Sequence, residues 1–363
     1  MKGVDRMKTL FRVLIIAALV WFVAGNVFAA GTKEGTGTGA QATGSQMVDT
    51  TKYKKAPPWT IGFSNASVSN TWRVSFVEQL RYSIDEAKKQ GLIKNYYETN
   101  ANDDPTKQVA DVEDLITKGI DLLIVSASSS EALTPVVEKA MDKGIPVVTL
   151  DRNISSDKYV TFLEGSSKNM AKLQAEWLVK QIGGKGNVVL ITGLAGASPA
   201  EDRLASATAV FQANPGITML AKEYGDWSVV KSRQIMETLL QKYPKIDAVW
   251  CDSMEAVGAM QAFQAANLPV PPITCEDANQ FLKIWKNDPK LNARCVTFSV
   301  RQGSRGVEIA LKILRGEPVP HLYLVPNTVI TRENLDQYVR MDLPDSFYAE
   351  TQPEVTKRLF PGK

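Results

Sequence analysis

The stretches DLLIVS at residues 121–126 and IPVVTL at residues 145–150 are the clearest indication of the fold in the sequence. Both are short and continuously apolar, which is typical of strands buried on both faces of a parallel sheet. A helical pattern at 131–143 separates them. A strand, a helix and another strand in this order predict a right-handed crossover between parallel neighbours.

The same alternation extends outward in both directions and then repeats. Further strands are predicted at 60–64, 96–99, 160–163, 187–192, 217–223, 248–251, 272–275, 294–298 and 322–326. Helical patterns with apolar residues three and four apart separate most of them. Two consecutive series of this kind predict an α/β protein with two similar lobes, each built on a doubly wound parallel sheet.

Elements remaining at the end of the chain indicate that it crosses between the lobes more than once, through a hinge of several strands. We expect an N-terminal lobe at 58–164 plus 298–326, a C-terminal lobe at 165–297 plus 327–350, and a tail at 351–363.

The N-terminus has the features of an export signal. Four basic residues up to Arg12 precede an apolar run at 13–24, and small residues follow near Ala29. This order predicts a cleaved signal peptide at 1–29, whether translation starts at Met1 or Met7. The run is shorter than the roughly 20 residues of a bilayer span. Residues 30–57, rich in Gly, Thr and Ser, are expected to be a flexible tether, and the mature protein to be periplasmic or extracellular.

The charge and the chemistry-bearing residues exclude several classes of protein. The sequence has 42 Lys and Arg against 39 Asp and Glu, and the surplus lies within the signal, so the body is balanced and does not suit nucleic acid. One histidine, His321, and three cysteines without a Cys-x-x-Cys pair argue against a metal site, and no cofactor is expected. Cys251 and Cys275 could pair after export, although their apolar flanks favour buried free thiols.

Ligands of open parallel sheets bind beyond the carboxyl ends of the strands. The loops predicted there are rich in carboxylates, guanidiniums and tryptophan. Such groups bind vicinal hydroxyls in pairs and pack against the apolar faces of a sugar ring. The candidate ligand-binding residues from these loops are Asn70, Trp72, Arg73, Asp151, Arg152, Arg203, Trp227, Asp252 and Glu276.

Three longer motifs occur in a specific order. They are GIPVVTLDRN at 144–153, ITGLAGAS at 191–198 and GSRGVEIALKILRGE at 303–317. Together with the signal peptide and the early Asn-x-aromatic loop, they resemble the type I, ribose/galactose-binding family of periplasmic sugar-binding proteins of ABC transporters. The resemblance extends over most of the chain.

The resemblance implies roles for individual residues. Asn70 and Trp72 match an asparagine and a stacking aromatic, and Asp151 with Arg152 matches a paired Asp-Arg. The other matches are Arg203 to an arginine, Trp227 to a second stacking aromatic, Asp252 to an asparagine, Glu276 to an aspartate, and Thr297 or Ser299 to a glutamine.

The chain also departs from the family pattern. Thr71 replaces a proline, Arg73 replaces an aromatic residue, and Ser126 replaces an asparagine. A pocket with these changes need not bind ribose. The proposed shell has as many arginines as carboxylates, and this balance favours a neutral monosaccharide or a sugar alcohol over a charged ligand. The counted groups are Arg73, Arg152, Arg203, Asp151, Asp252 and Glu276.

The function that the resemblance implies is an extracytoplasmic binding protein, not an enzyme. It would act as a monomer and deliver its ligand to a membrane permease or a chemoreceptor. No Gly-x-Ser-x-Gly elbow is present, which argues against a hydrolase. LacI-type repressors share the fold, but they carry a helix-turn-helix where this chain has a signal and a tether. A subunit that presents a ligand to a membrane receptor or histidine kinase remains the alternative.

Overall fold

The computed structural model describes residues 45–363, and the predicted signal peptide lies outside the described residues. Within this range, no helix combines the length and the apolar character that crossing a membrane requires.

The first lobe is built on a sheet of six parallel strands. In spatial order these are Leu322–Leu324 (β13), Thr161–Glu164 (β6), Val147–Leu150 (β5), Leu122–Ser126 (β4), Trp59–Asn65 (β2) and Ile93–Asn100 (β3). Its helices are Thr71–Lys89 (α1), Pro105–Thr117 (α2), Ser130–Asp142 (α3) and Gln302–Arg315 (α9). Every residue of β4 and β5 is buried, as expected for strands covered by helices on both faces.

The second lobe has a matching sheet of six strands. In spatial order these are Val329–Ile330 (β14), Ala293–Val296 (β11), Ile273–Cys275 (β10), Ala248–Cys251 (β9), Gly186–Thr192 (β7) and Ile217–Tyr224 (β8). Only β14 runs antiparallel to its neighbour. The helices are Ser167–Gln181 (α4), Ser198–Gln212 (α5), Val229–Lys242 (α6), Glu255–Ala265 (α7) and Asn279–Asn287 (α8). Trp250 and Trp285 are buried in its core.

The chain passes between the two sheets at three places: after β6, after β11 and between β13 and β14. The predicted fold class, two doubly wound lobes joined by several crossing segments, is therefore confirmed. Thr297 lies at one crossing, where its hydroxyl accepts a hydrogen bond from the Thr328 amide at 2.9 Å.

The ordered body starts earlier than the sequence predicts. Met47–Val48 (β1) pairs antiparallel with Val319–Pro320 (β12), and a 3-10 turn follows at Thr51–Tyr53. The Thr50 hydroxyl donates to the Glu317 carbonyl at 2.6 Å, and Tyr53 is buried. The expectation of a flexible tether up to residue 57 is thus wrong from residue 45 onward. Composition did not show that this segment has a pairing partner some 270 residues away.

The C-terminal tail is also structured. Residues 351–363 contain a helix, Pro353–Leu359 (α10), which packs against α1. The three cysteines are free and buried, and Cys275 donates through its thiol to the Ser253 carbonyl at 3.1 Å. The structure therefore has the free thiols rather than the Cys251–Cys275 pair.

Candidate ligand-binding site

A cavity lies between the lobes at the carboxyl ends of both sheets. Its empty volume, including the open solvent at its mouth, is about 400 Å³. The lining residues are Asn70, Trp72, Arg73, Asp151 and Arg152 from the first lobe, Pro199, Arg203, Trp227, Ser253, Met254 and Glu276 from the second, Phe298 from the hinge, and Tyr348 from the C-terminal segment.

Arg73 is held by the protein on all sides. Its guanidinium donates to the Asp151 carboxylate, to Asn65 Oδ1 at 2.6 Å and to Ser126 Oγ at 3.0 Å. Nε donates to the Ser67 carbonyl at 3.3 Å. Burial, with the nearby charge of Arg152, lowers the pKa of Arg73 to about 10. The group stays charged at neutral pH, and its role here is to fix Asp151 at the edge of the cavity.

Arg152 reaches from the first lobe to the second. Its guanidinium donates to Asp103 at 3.1 Å and lies 5.2 Å from the centre of the Trp227 ring. A second contact crosses the cleft nearby, because the Asn153 amide donates to Ser198 Oγ at 2.9 Å. Both contacts require the lobes to be close together, so the structure shows a closed arrangement.

Arg203 is the first charged residue, in chain order, that the second lobe contributes to the cavity. It donates to Asp252 Oδ2 at 3.2 Å, and the same oxygen accepts from the Thr192 hydroxyl at 3.1 Å. The guanidinium lies 4.1 Å from the centre of the Phe298 ring. Nε is buried and has no hydrogen-bond partner within residues 45–363. Burial raises the pKa of Asp252, although the positive charge of Arg203 opposes this rise.

Glu276 is a carboxyl group held by two hydroxyls. Its Oε1 accepts from Ser253 Oγ at 2.5 Å and from the Tyr348 hydroxyl at 3.2 Å. Burial raises the pKa of Glu276 to about 7, against the opposing charge of Arg203. Near neutral pH this group is divided between its neutral and charged forms, so it can donate to a ligand hydroxyl or accept from one.

Two tryptophans line the cavity together with Phe298 and Tyr348. Trp72 stacks on Phe76 with ring centres 5.1 Å apart, and its Nε1 donates to the Phe298 carbonyl at 2.8 Å. Trp227 has φ of +53°, an uncommon conformation for a bulky residue, and its amide donates to Glu255 Oε1 at 2.8 Å. Its ring packs on Gly193, where a Cβ atom would come within 1.9 Å of the indole. Gly193 is therefore needed for this ring position.

Ser126 and Thr297, which match ligand-binding positions of the family, bring the nine loop candidates to eleven. The structure brings eight of these eleven residues to the cavity. The other three candidates lie behind the cavity or beside it. Ser126 supports Arg73, Asp252 supports Arg203, and Thr297 belongs to the hinge. Whether the eight bind the ligand stays a prediction.

Five lining residues were not among the candidates. Phe298 and Ser253 directly follow the nominated Thr297 and Asp252, so a wider reading of those loops would have found them. Pro199 and Met254 have neither polar nor aromatic side chains, so the criteria applied to the strand-end loops do not select them. Tyr348 comes from a segment without a recognisable motif, far from the other site residues in sequence.

The cavity's arginines carry no unmatched positive charge, and Glu276 is a further carboxyl group outside their ion pairs. Each of the three arginines has its own carboxylate partner. The pairs are Arg73 with Asp151, Arg152 with Asp103, and Arg203 with Asp252. No unpaired arginine is left among them to match a ligand carboxylate or phosphate.

Several known proteins are similar to the chain over most of its length. The periplasmic binding protein domain matches residues 61–318. The ribose import binding protein RbsB of Bacillus subtilis (strain 168) is 30% identical over 277 residues, which cover 76% of this chain and 88% of that protein. Among solved structures, an ABC transporter solute binding protein from Thermobispora bispora has a TM-score of 0.75 at 26% identity, covering 83% of this chain and 94% of the other. The fructose binding periplasmic domain of a hybrid two component system has a TM-score of 0.70 at 28% identity, covering 77% and 92%.

Proposed function

The chain belongs to the periplasmic binding protein family of type I sugar-binding proteins, and on this basis we propose that it captures a neutral monosaccharide or a sugar alcohol and delivers it to the permease of an ABC importer. Its relatives are binding proteins for transport, and the chain is likewise a binding protein and not an enzyme.

We infer the class of ligand from the pairing of each cavity arginine with a carboxylate. A buried charged ligand needs opposite charge around it, and the three arginines are already neutralised. Neutral hydroxyls suit the remaining groups: Glu276 and Asp151 as acceptors, Asn70 as donor or acceptor, and the indole faces of Trp72 and Trp227 against the sugar ring.

Binding is coupled to closure because both lobes contribute to one polar shell. Asp151 comes from the first lobe and Glu276 from the second, so neither lobe alone satisfies a polyhydroxyl ligand. The ligand then makes more contacts in the closed state than in the open one and shifts the population toward closure. The closed surface is what a permease would recognise. Export through a cleaved signal peptide places the monomer in the periplasm or outside the cell.

A thermal-shift screen of the protein from residue 45 onward tests this proposal. The panel contains pentoses, hexoses, sugar alcohols, inositols, sugar acids and amino acids. A true ligand at 100 times its Kd adds about 2.7 kcal/mol to the free energy of unfolding. We expect hits among neutral sugars or polyols. Hits confined to acids or amino acids would contradict the ligand class while leaving the fold unaffected.

A sensor role is the second candidate, and the similarity to the fructose binding periplasmic domain of a two component system favours it. Transport and sensing use the same binding chemistry, so the test must be made in cells. Deleting the gene should abolish uptake of the radiolabelled screening hit if the protein serves a transporter. Normal uptake with a lost transcriptional response to that compound would support the sensor instead.

A further inference from the structure

The last part of the chain, residues 343–363, connects the two lobes a further time. We call this segment the C-terminal strap. At its beginning it lies on the second lobe, where the Asp345 and Phe347 carbonyls accept hydrogen bonds from the amides of Gln280 at 3.1 Å and Asn279 at 2.9 Å. Tyr348 forms an antiparallel bridge with Ala278.

The end of the strap lies on the first lobe. Helix α10 packs against α1, and Arg358 donates to Asp85 at 2.9 Å and to Glu78 at 3.3 Å. The Arg358 guanidinium also lies 4.9 Å from the centre of the Tyr82 ring. These partners all belong to α1, whose first turn carries Trp72 into the cavity.

Tyr348 ends the attachment to the second lobe and lines the cavity. Only 1% of its surface is exposed, and its ring belongs to the same hydrophobic cluster as Trp72 and Phe298. Its hydroxyl donates to Glu276 Oε1 at 3.2 Å and lies 3.4 Å from the Thr71 hydroxyl. One hydroxyl thus contacts a residue from each lobe.

The strap is short between its two attachments. Only residues 349–352 separate the bridge at Tyr348 from the start of α10 at Pro353, and these five residue steps span at most about 18 Å when extended. A hinge motion that moves α1 away from Ala278 must therefore stop at this length or detach one end of the strap. The matched family domain ends at residue 318, so the strap lies beyond it.

We propose that the C-terminal strap limits how far the two lobes open and that Tyr348 is a positioning residue, which orients Glu276 toward the bound sugar or polyol. The limit on opening follows from the contacts of the strap alone. The role of Tyr348 in binding rests on the proposed function. With Ser253, it occupies Oε1 of Glu276 and leaves Oε2 for a ligand hydroxyl.

Small-angle X-ray scattering without added sugar tests the limit on opening. Arg358→Glu places a negative charge beside Glu78 and Asp85, and a deletion of residues 352–363 removes α10 altogether. Both variants should have a larger radius of gyration than the parent protein, once the smaller mass of the deletion variant is taken into account. Arg305→Glu, which disrupts an exposed pair with Glu308 on α9, is the matched control and should not change it. An unchanged radius in both strap variants, with intact circular dichroism, would overturn the limit.

Calorimetric titration of Tyr348→Phe tests the positioning role. The probe is whichever of D-ribose, D-fructose, D-allose, myo-inositol and xylitol gives the largest thermal shift. We expect about a tenfold rise in Kd, as for a lost hydrogen bond to a partly charged group. The midpoint of the pH dependence of Kd should also move to higher pH in this variant, because the Tyr348 hydroxyl stabilises the charged form of Glu276. Tyr338→Phe, a half-buried tyrosine outside the cavity, is the control.

The outcomes separate this inference from the proposed function. An unchanged Kd and pH profile in Tyr348→Phe would overturn the positioning role while the parent's binding upholds the function. No binding of any probe by the parent would overturn the function and the role of Tyr348 together, and the scattering result would still decide the limit on opening.

Discussion

At the level of single residues, the pairing of arginines with carboxylates determines which charged groups of the cavity are available to a ligand. Arg73 lines the cavity, but its donors are directed to Asp151, Asn65, Ser126 and the Ser67 carbonyl. It therefore acts on a ligand through the position of Asp151. An aromatic residue, which the family pattern has at position 73, could not hold Asp151 in this way.

Replacement of Asp151 should affect folding as well as binding. Asp151→Ala leaves the buried charge of Arg73 without its carboxylate, and such losses cost about 3–5 kcal/mol. Urea unfolding should show this decrease in the free energy of unfolding. Asp114→Ala, which removes an exposed partner of Lys118, should cost less than about 1 kcal/mol. Equal stabilities of the two variants would show that the Arg73–Asp151 pair is not important for the fold.

Glu276 should make stability depend on pH. Its pKa is raised from 4.5 to about 7 by burial, so the folded protein binds a proton more tightly than the unfolded chain does. The stabilising contribution is complete below about pH 4.5 and is lost as the pH rises toward 7, by up to about 3 kcal/mol. Glu276→Gln should flatten this part of the pH–stability curve, measured by urea unfolding from pH 4.5 to 7.5. The exposed Glu354→Gln should leave the slope as it is, and the same slope in both variants would contradict the assignment.

At the scale of elements, long apolar strands were predictable and very short ones were not. β4 and β5 are continuously apolar, so their type and approximate bounds follow from local sequence. β1, β12 and β14 have only two residues each, and their existence depends on partners far away in the chain. The same reason explains why the segment from residue 45 onward resembled a tether.

The docked N-terminal segment should contribute to stability. Tyr53 is buried in the first lobe's hydrophobic cluster, and its replacement by alanine should lower the free energy of unfolding by about 2–4 kcal/mol. Thermal unfolding followed by circular dichroism measures the effect. The neighbouring Lys52→Ala, exposed in the structure, should change stability by no more than about 1 kcal/mol. A Tyr53→Ala variant as stable as the parent would indicate that this segment is a flexible tether, as the sequence predicted.

At the scale of the whole molecule, the repeated α/β order predicted two lobes, and the strand-end rule predicted where they meet. This rule identified Trp72, Asp151 and Glu276 without any structure. It could not identify Tyr348, because that side chain reaches the cavity only through the strap's attachment to both lobes. It also could not separate lining residues from supporting ones: Asp252 follows a strand as Glu276 does, yet it faces Arg203 and Thr192.

We expect a neutral polyhydroxyl compound to occupy a cavity whose arginines are already paired. The most direct test of this expectation is calorimetric titration of the best neutral screening hit and of the acid with the same carbon skeleton and a terminal carboxylate. We expect one molecule of the neutral compound per protein and at least tenfold weaker binding of the acid, because each cavity arginine already has a carboxylate partner. Equal or tighter binding of the acid would contradict this expectation.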